Sequence, residues 1–80
     1  MKRLRLYHRP ACHLCEDMLA ELEQLRQSTA FELEQIDVDG NVTLRERYHV
    51  RVPVLEDSDG GLLCEVFLDP FAVLNYLRDA

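Results

Sequence analysis

Two cysteines separated by two residues, in the stretch Cys12-His13-Leu14-Cys15, follow a short apolar segment and begin an amphipathic one. This placement predicts a strand before the motif and a helix that begins at it. Thiols at this spacing in the first turn of a helix can close a small ring, and the backbone N–H groups there favour the thiolate of Cys12. The pattern is typical of a redox site, although short Cys-x-x-Cys pairs also hold zinc.

The size and cysteine content of the chain limit its class. Its 80 residues, 48% of them hydrophobic, suit a single domain over residues 1–80. Three cysteines cannot form a fully paired secreted framework, so a reducing compartment, the cytoplasm, is predicted. No apolar run of signal-peptide length follows the basic N-terminus, and none approaches about 18 residues, so we expect a soluble protein without a membrane partner.

The net charge of −6 argues against a nucleic-acid partner. Phosphate binding needs clustered Lys and Arg residues, because these release counterions from the nucleic acid. Seven of the nine Lys and Arg residues fall into two separate groups, over residues 2–9 and 45–51, and no aromatic-rich basic stripe joins the groups. We therefore expect no nucleic-acid binding.

The first half of the chain predicts two strands and two helices. Apolar residues alternate from Leu4 to His8, which indicates a strand that Pro10 stops. From Leu14 the apolar positions follow helical spacing over about 14 residues. A second strand is predicted over 31–38, and a short helix over 42–49 follows the turn residues 39–41.

The second half predicts a third strand over 51–55, a hairpin through 57–61 to a fourth strand over 62–67, and a final helix from Pro70. The element order is βαβαββα. With a parallel first pair of strands and an antiparallel last pair, this order predicts an α/β fold with a four-stranded mixed sheet and flanking helices.

This order, the pair Cys12-x-x-Cys15 after the first strand, and Val52-Pro53 before the hairpin resemble the thioredoxin fold in its minimal, glutaredoxin-like form. The resemblance covers almost the whole chain. The stretches 36–39 and 44–54 are also similar to the segment that glutaredoxin-like proteins place between their second strand and their cis-proline. Two features at compatible separation are harder to obtain by chance than one short motif.

The resemblance implies a thiol–disulfide oxidoreductase that reduces disulfides of proteins or small molecules. Cys12 would be the exposed nucleophile, and Cys15 the more buried thiol that resolves the mixed disulfide. Pro53 would be cis and face Cys12. The Val52 backbone would offer an N–H and a C=O to the substrate chain.

Three further residues are candidates for the site. Arg51 could pair with a glutathione carboxylate, and Tyr7 either packs on a helix or flanks a substrate groove. When protonated, His13 would lower the pKa of Cys12, although a residue at this position is more often a solvent-facing polar residue. The motif residues His13 and Leu14 depart from the Pro-Tyr of glutathione-using glutaredoxins, so glutathione is only a candidate co-substrate.

No bound cofactor is needed for this chemistry, only an external thiol or a reductase as electron donor. The alternative is a non-catalytic module that binds zinc or an iron–sulfur centre through the two cysteines, or that binds a protein partner. Zinc lacks two clear further ligands, so no metal residues are assigned. The third cysteine, Cys64, lies in a predicted strand, where a buried or edge residue is expected. A monomer is expected, since this sheet needs no partner to close it.

Overall fold

Four strands and three α-helices follow one another in the predicted order in the computed structural model, which describes residues 1–78. A short 3-10 turn, Val38–Gly40, joins the second strand to the second helix. The elements are β1 (Arg3–His8), α1 (His13–Leu25), β2 (Glu32–Asp37), α2 (Val42–Tyr48), β3 (Val54–Asp57), β4 (Leu62–Glu65) and α3 (Pro70–Arg78).

The strands form one mixed sheet in the order β2-β1-β3-β4. β1 pairs with β2 in parallel, whereas β1–β3 and β3–β4 are antiparallel. This confirms the predicted α/β fold. The carboxyl end of β1 therefore lies between β2 and β3, and the chain leaves it towards the cysteine motif.

Alternation along β1 divides the core between the two faces of the sheet. Leu4 and Leu6 point towards α1 and α3, while Tyr7 points towards α2. The buried residues of the first cluster are Leu4, Leu6, Met18, Leu22, Phe31, Leu55, Cys64 and Val73. Those of the second cluster are Tyr7, Val38, Tyr48 and Val54.

The third strand begins three residues later than predicted. The sequence predicts a strand over 51–55, but β3 covers Val54–Asp57. The N–H groups of Arg51 and Val52 donate to the carbonyl of Tyr48, at 2.7 and 3.1 Å. Because they complete the end of α2, these residues do not join the sheet.

The fourth strand ends earlier than predicted, at Glu65 rather than at residue 67. Val66 has a φ of +69°, in the left-handed region that interrupts an extended strand. The N–H of Val66 donates instead to the Pro53 carbonyl at 2.8 Å. Within residues 1–78, no helix has the length and apolar character needed to cross a bilayer.

Candidate active site

The turn after β1 places Cys12 at the amino end of α1. Ala11 has a φ of +56°, and Cys12 is extended, with φ −105° and ψ 106°. This backbone makes Cys12 the N-cap of the helix, a position usually held by small polar side chains that accept a backbone hydrogen bond. Its sulfur does the same, since Sγ accepts the N–H of Cys15 at 3.1 Å.

The two cysteines differ in exposure. Their Cα atoms lie 5.2 Å apart and their sulfurs are bonded as a disulfide. Cys12 is half-buried, whereas Cys15 is 4% exposed and faces the sheet from α1. A molecule approaching from solvent therefore meets the Cys12 sulfur first.

A depression of about 190 Å³ opens beside the disulfide. Apolar side chains, among them Leu6 and Leu19, form part of its wall, and His8 and Arg9 stand on the side of β1. Arg9 is held by Asp39 at 3.2 Å and by the His49 carbonyl at 3.2 Å. The surroundings of Cys12 on this side therefore include a basic group in a fixed position.

The Val52–Pro53 peptide bond is cis, as the resemblance implied, and Pro53 is buried. The Val52 backbone differs from the expectation. Its N–H is already donated to the Tyr48 carbonyl, so only the carbonyl of Val52 is left for a substrate. That carbonyl accepts no hydrogen bond from residues 1–78. That Pro53 faces Cys12 stays a prediction.

Comparison with known proteins identifies the family. The model of the Glutaredoxin-like domain (DUF836) matches residues 3–77. The chain belongs to the glutaredoxin-like family. The sequence matches no protein of curated function at a significant level.

Solved structures agree with this glutaredoxin-like assignment. Protein Ne2328 from Nitrosomonas europaea is 44% identical, with a TM-score of 0.86, over 96% of this chain and 92% of that one. The protein XcR50 from X. campestris is 32% identical, with a TM-score of 0.72, over 96% and 97% of the two chains. A mutant thioredoxin from Halobacterium salinarum is 30% identical, with a TM-score of 0.65, over 96% of this chain and 72% of that one.

Arg51 of this glutaredoxin-like chain is occupied by an internal partner. Its Nε donates to Glu65 Oε2 at 2.7 Å, and its guanidinium lies 5.5 Å from the centre of the Tyr48 ring. The hydrogen bond to Glu65 raises the pKa of Arg51. A glutathione carboxylate would therefore have to compete with Glu65 for this group.

Tyr7 does not line the depression beside the disulfide. It is buried in the second core cluster, and its ring stacks on Tyr48 with the centres 4.3 Å apart and the planes 21° apart. The α2 face of the sheet holds this pair, while Cys15 packs from α1 on the other face. Tyr7 thus packs against α2, as one of the two interpretations expected, and a role beside a substrate groove stays a prediction.

His13 is the first residue of α1, and its side chain is 87% exposed. Its ring nitrogens lie 4.0 Å from Glu16 Oε2 and 3.8 Å from Asp17 Oδ2. When protonated, the imidazolium would be partly balanced by these carboxylates. The geometry matches the solvent-facing interpretation, and tuning of Cys12 by His13 stays a prediction.

Two features near the site were missed in the sequence. Tyr48 donates its hydroxyl to the buried Glu56 at 2.8 Å, although nothing in the spacing of these residues indicates the contact. Val66 adopts positive φ, which a β-branched residue does not signal. Both depend on contacts across the fold.

Cys64 is free and buried in the first core cluster, as expected, and burial raises the pKa of its thiol. The part of the chain that the structure describes contains no group of three or more His, Cys, Asp or Glu side chains arranged to hold a metal ion. The candidate site is therefore a dithiol pair with an apolar and basic surrounding.

Proposed function

We propose that the protein is a thiol–disulfide oxidoreductase that uses Cys12 and Cys15. The observation that carries this proposal is the position of Cys12 as the N-cap of α1, where its sulfur accepts the Cys15 N–H at 3.1 Å. A thiolate there gains from this donor and from the positive end of the helix dipole. Its greater exposure than that of Cys15 fits the role of attacking group.

The first step is attack of the Cys12 thiolate on one sulfur of a substrate disulfide. The Cys12–substrate bond forms as the substrate S–S bond breaks, and the second substrate sulfur leaves as a thiolate that takes a proton from solvent. Val52 would offer its carbonyl, next to the cis-proline, to an N–H of the substrate chain.

The second step belongs to Cys15. It loses its proton and attacks the Cys12 sulfur, so that the Cys12–Cys15 bond forms and the remaining substrate thiol leaves. The substrate disulfide has then gained two electrons and two protons, and the pair has been oxidised. An external thiol, with glutathione as a candidate, or a reductase returns the pair to the dithiol, in a reducing compartment such as the cytoplasm.

Trapping experiments with Cys15→Ser and Cys12→Ser test these roles. With oxidised glutathione, Cys15→Ser should accumulate a mixed disulfide on Cys12, because the resolving thiol is gone, while Cys12→Ser should form none. Peptide mass spectrometry identifies the linked cysteine, and the buried Cys64 in each variant is an internal control. Equal trapping by both variants would refute the assignment.

A redox titration of the wild-type protein tests the activity as a whole. The pair should interconvert reversibly within about −270 to −120 mV, the range of known disulfide exchangers. A pair that stays reduced in this range, together with metal in protein purified without chelator, would instead support the non-catalytic metal-binding module.

A further inference from the structure

A groove runs along α1 from the cysteine motif, between this helix and the segment that follows β4. It consists of two adjoining depressions of about 130 and 370 Å³ that share Glu21 and Leu68 in their walls. Leu14, inside the cysteine motif, lines the first depression. The groove therefore begins within the proposed redox site and continues along the helix, on the side away from the depression at His8 and Arg9.

The floor of the groove near the motif is apolar and partly open to solvent. Leu14 and Met18 of α1 line it, together with Phe67 and Leu68 of the segment after β4. Phe67 is 69% exposed and Leu14 is 37% exposed. An apolar side chain of another molecule could bury both surfaces.

The polar residues near this floor are acidic. Asp17 and Glu21 line the first depression, and no Lys, Arg or His of residues 1–78 lines either depression. Glu21 has no ion-pair partner within residues 1–78, and Asp17 contacts only the exposed His13, at 3.8 Å. The groove thus presents two carboxylates beside an apolar floor, and the Glu21 carboxylate is not paired within residues 1–78.

The wall opposite α1 is fixed by backbone hydrogen bonds. The Val66 N–H donates to the Pro53 carbonyl, and the Phe67 N–H donates to the Glu65 carbonyl, both at 2.8 Å. The φ of +69° at Val66 interrupts the extended chain directly before Phe67. A β-branched residue in this region costs free energy, and such strain concentrates at functional sites.

We propose that this groove docks a basic segment of a disulfide-bearing partner protein. An apolar side chain of the segment inserts between Leu14 and Phe67, and Lys or Arg residues beside it pair with Asp17 and Glu21. The inference rests on the proposed function, because it names the class of protein that the redox site would select. Charge disfavours two other occupants: glutathione carries carboxylates, and a second copy of this chain, with a net charge of −6, would be repelled.

Binding can be tested without disulfide exchange. The oxidised, isotope-labelled protein is titrated with two cysteine-free peptides, each with a central Leu, flanked in one by Lys and in the other by Glu. The Lys peptide should shift amide NMR signals of residues 14–21 and 66–68 and bind at least about tenfold more tightly than the Glu peptide at low salt. Equal binding, or shifts outside these segments, would overturn the proposal.

Matched variants locate the effect. Glu21→Gln should weaken binding of the Lys peptide about threefold, whereas Glu46→Gln, the same charge change on the exposed side of α2, should not. Phe67→Ala should weaken it several-fold, unlike Val42→Ala at another exposed apolar position. If Glu46→Gln acts as strongly as Glu21→Gln, net charge rather than the groove is responsible and the proposal fails.

Two outcomes separate this inference from the proposed function. Reduction of a neutral disulfide, bis(2-hydroxyethyl) disulfide, depends on the cysteines alone, so its failure refutes the activity while the peptide titration still decides the groove. Shifts at residues 14–21 and 66–68 that grow with protein concentration in the absence of peptide would identify a second copy as the occupant and refute the basic partner.

Discussion

Tyr48 connects three parts of the molecule through separate groups. Its hydroxyl donates to Glu56 Oε2 at 2.8 Å, with the two residues only 2% and 7% exposed. Its ring stacks on Tyr7, and its carbonyl accepts the N–H groups of Arg51 and Val52. One residue thus fixes the end of α2, a strand residue and the chain that leads to the cis-proline.

Replacing Tyr48 with Phe should lower the free energy of unfolding by about 1–3 kcal/mol near neutral pH. The reason is that the buried Glu56 carboxylate loses its hydrogen-bond donor while the ring stack is kept. Urea unfolding measures the loss. Tyr7→Phe is the matched control, since its hydroxyl makes no hydrogen bond within residues 1–78, and an equal loss in both variants would contradict the role of the Glu56 contact.

The same pair gives a signed pH dependence. Burial first, and then the hydrogen bond to Glu56, raises the pKa of Tyr48 in the folded protein. Its contribution to stability is therefore complete below the unfolded pKa of about 10 and is lost as the pH rises towards the folded value. The difference in stability between wild type and Tyr48→Phe should accordingly shrink above about pH 10, and a constant difference would contradict this linkage.

Each helix begins at a side chain that accepts backbone N–H groups. Cys12 caps α1, Asn41 Oδ1 accepts the Leu44 N–H at 3.1 Å, and Asp69 Oδ1 accepts two N–H groups of α3. Two of these caps are ordinary polar residues, and the third is the proposed nucleophile. The same local geometry that starts a helix therefore also provides the environment for a thiolate.

The cap of α3 should be measurable as stability. Asp69→Ala removes the acceptor for Phe71 N and Ala72 N, at 3.1 and 3.3 Å, and should cost about 1 kcal/mol. Asp69→Asn keeps an acceptor oxygen, so it should lower the free energy of unfolding by only a few tenths of a kcal/mol. Thermal or urea unfolding compares the two. If Asp69→Asn lowers the free energy of unfolding as much as Asp69→Ala does, the negative charge near the helix end matters more than the hydrogen-bond acceptor.

Local patterns predicted the elements, and individual hydrogen bonds that no spacing rule predicts caused the errors at their ends. Helical spacing and strand alternation are properties of neighbouring residues, so the order βαβαββα and the position of the cysteine pair followed from sequence. The start of β3 depends on Val52 donating to Tyr48, and the end of β4 depends on Val66 donating to Pro53. The site is similar: the partner of Arg51, Glu65, lies fourteen positions away and no spacing rule predicts it.

At the scale of the whole molecule, the sheet separates two cores. The cysteine motif and the groove belong to the α1 side, whereas the Tyr7–Tyr48 stack fills the α2 side. β1 and β3 lie at the centre of the sheet and contribute residues to both cores. A substitution that destabilises one core should therefore also destabilise the other core through these strands.

Cys64 offers a measurement of this cooperativity, because it lies in the first core with residues of both α1 and α3. Its thiol is buried, which keeps iodoacetamide away, and burial raises its pKa, which keeps it protonated and unreactive. In reduced native protein, alkylation of Cys64 should be at least about 100-fold slower than in concentrated guanidinium chloride, since exposure requires global or near-global unfolding.

Mass spectrometry of timed samples gives this rate, and low concentrations of urea should increase it in step with the fraction of unfolded protein. The contradicting outcome is that β4, an edge strand, opens alone. Cys64 would then react at a rate that urea hardly changes while circular dichroism stays native. That result would show that β4 separates from the sheet independently and that the α1-side core does not unfold as one unit.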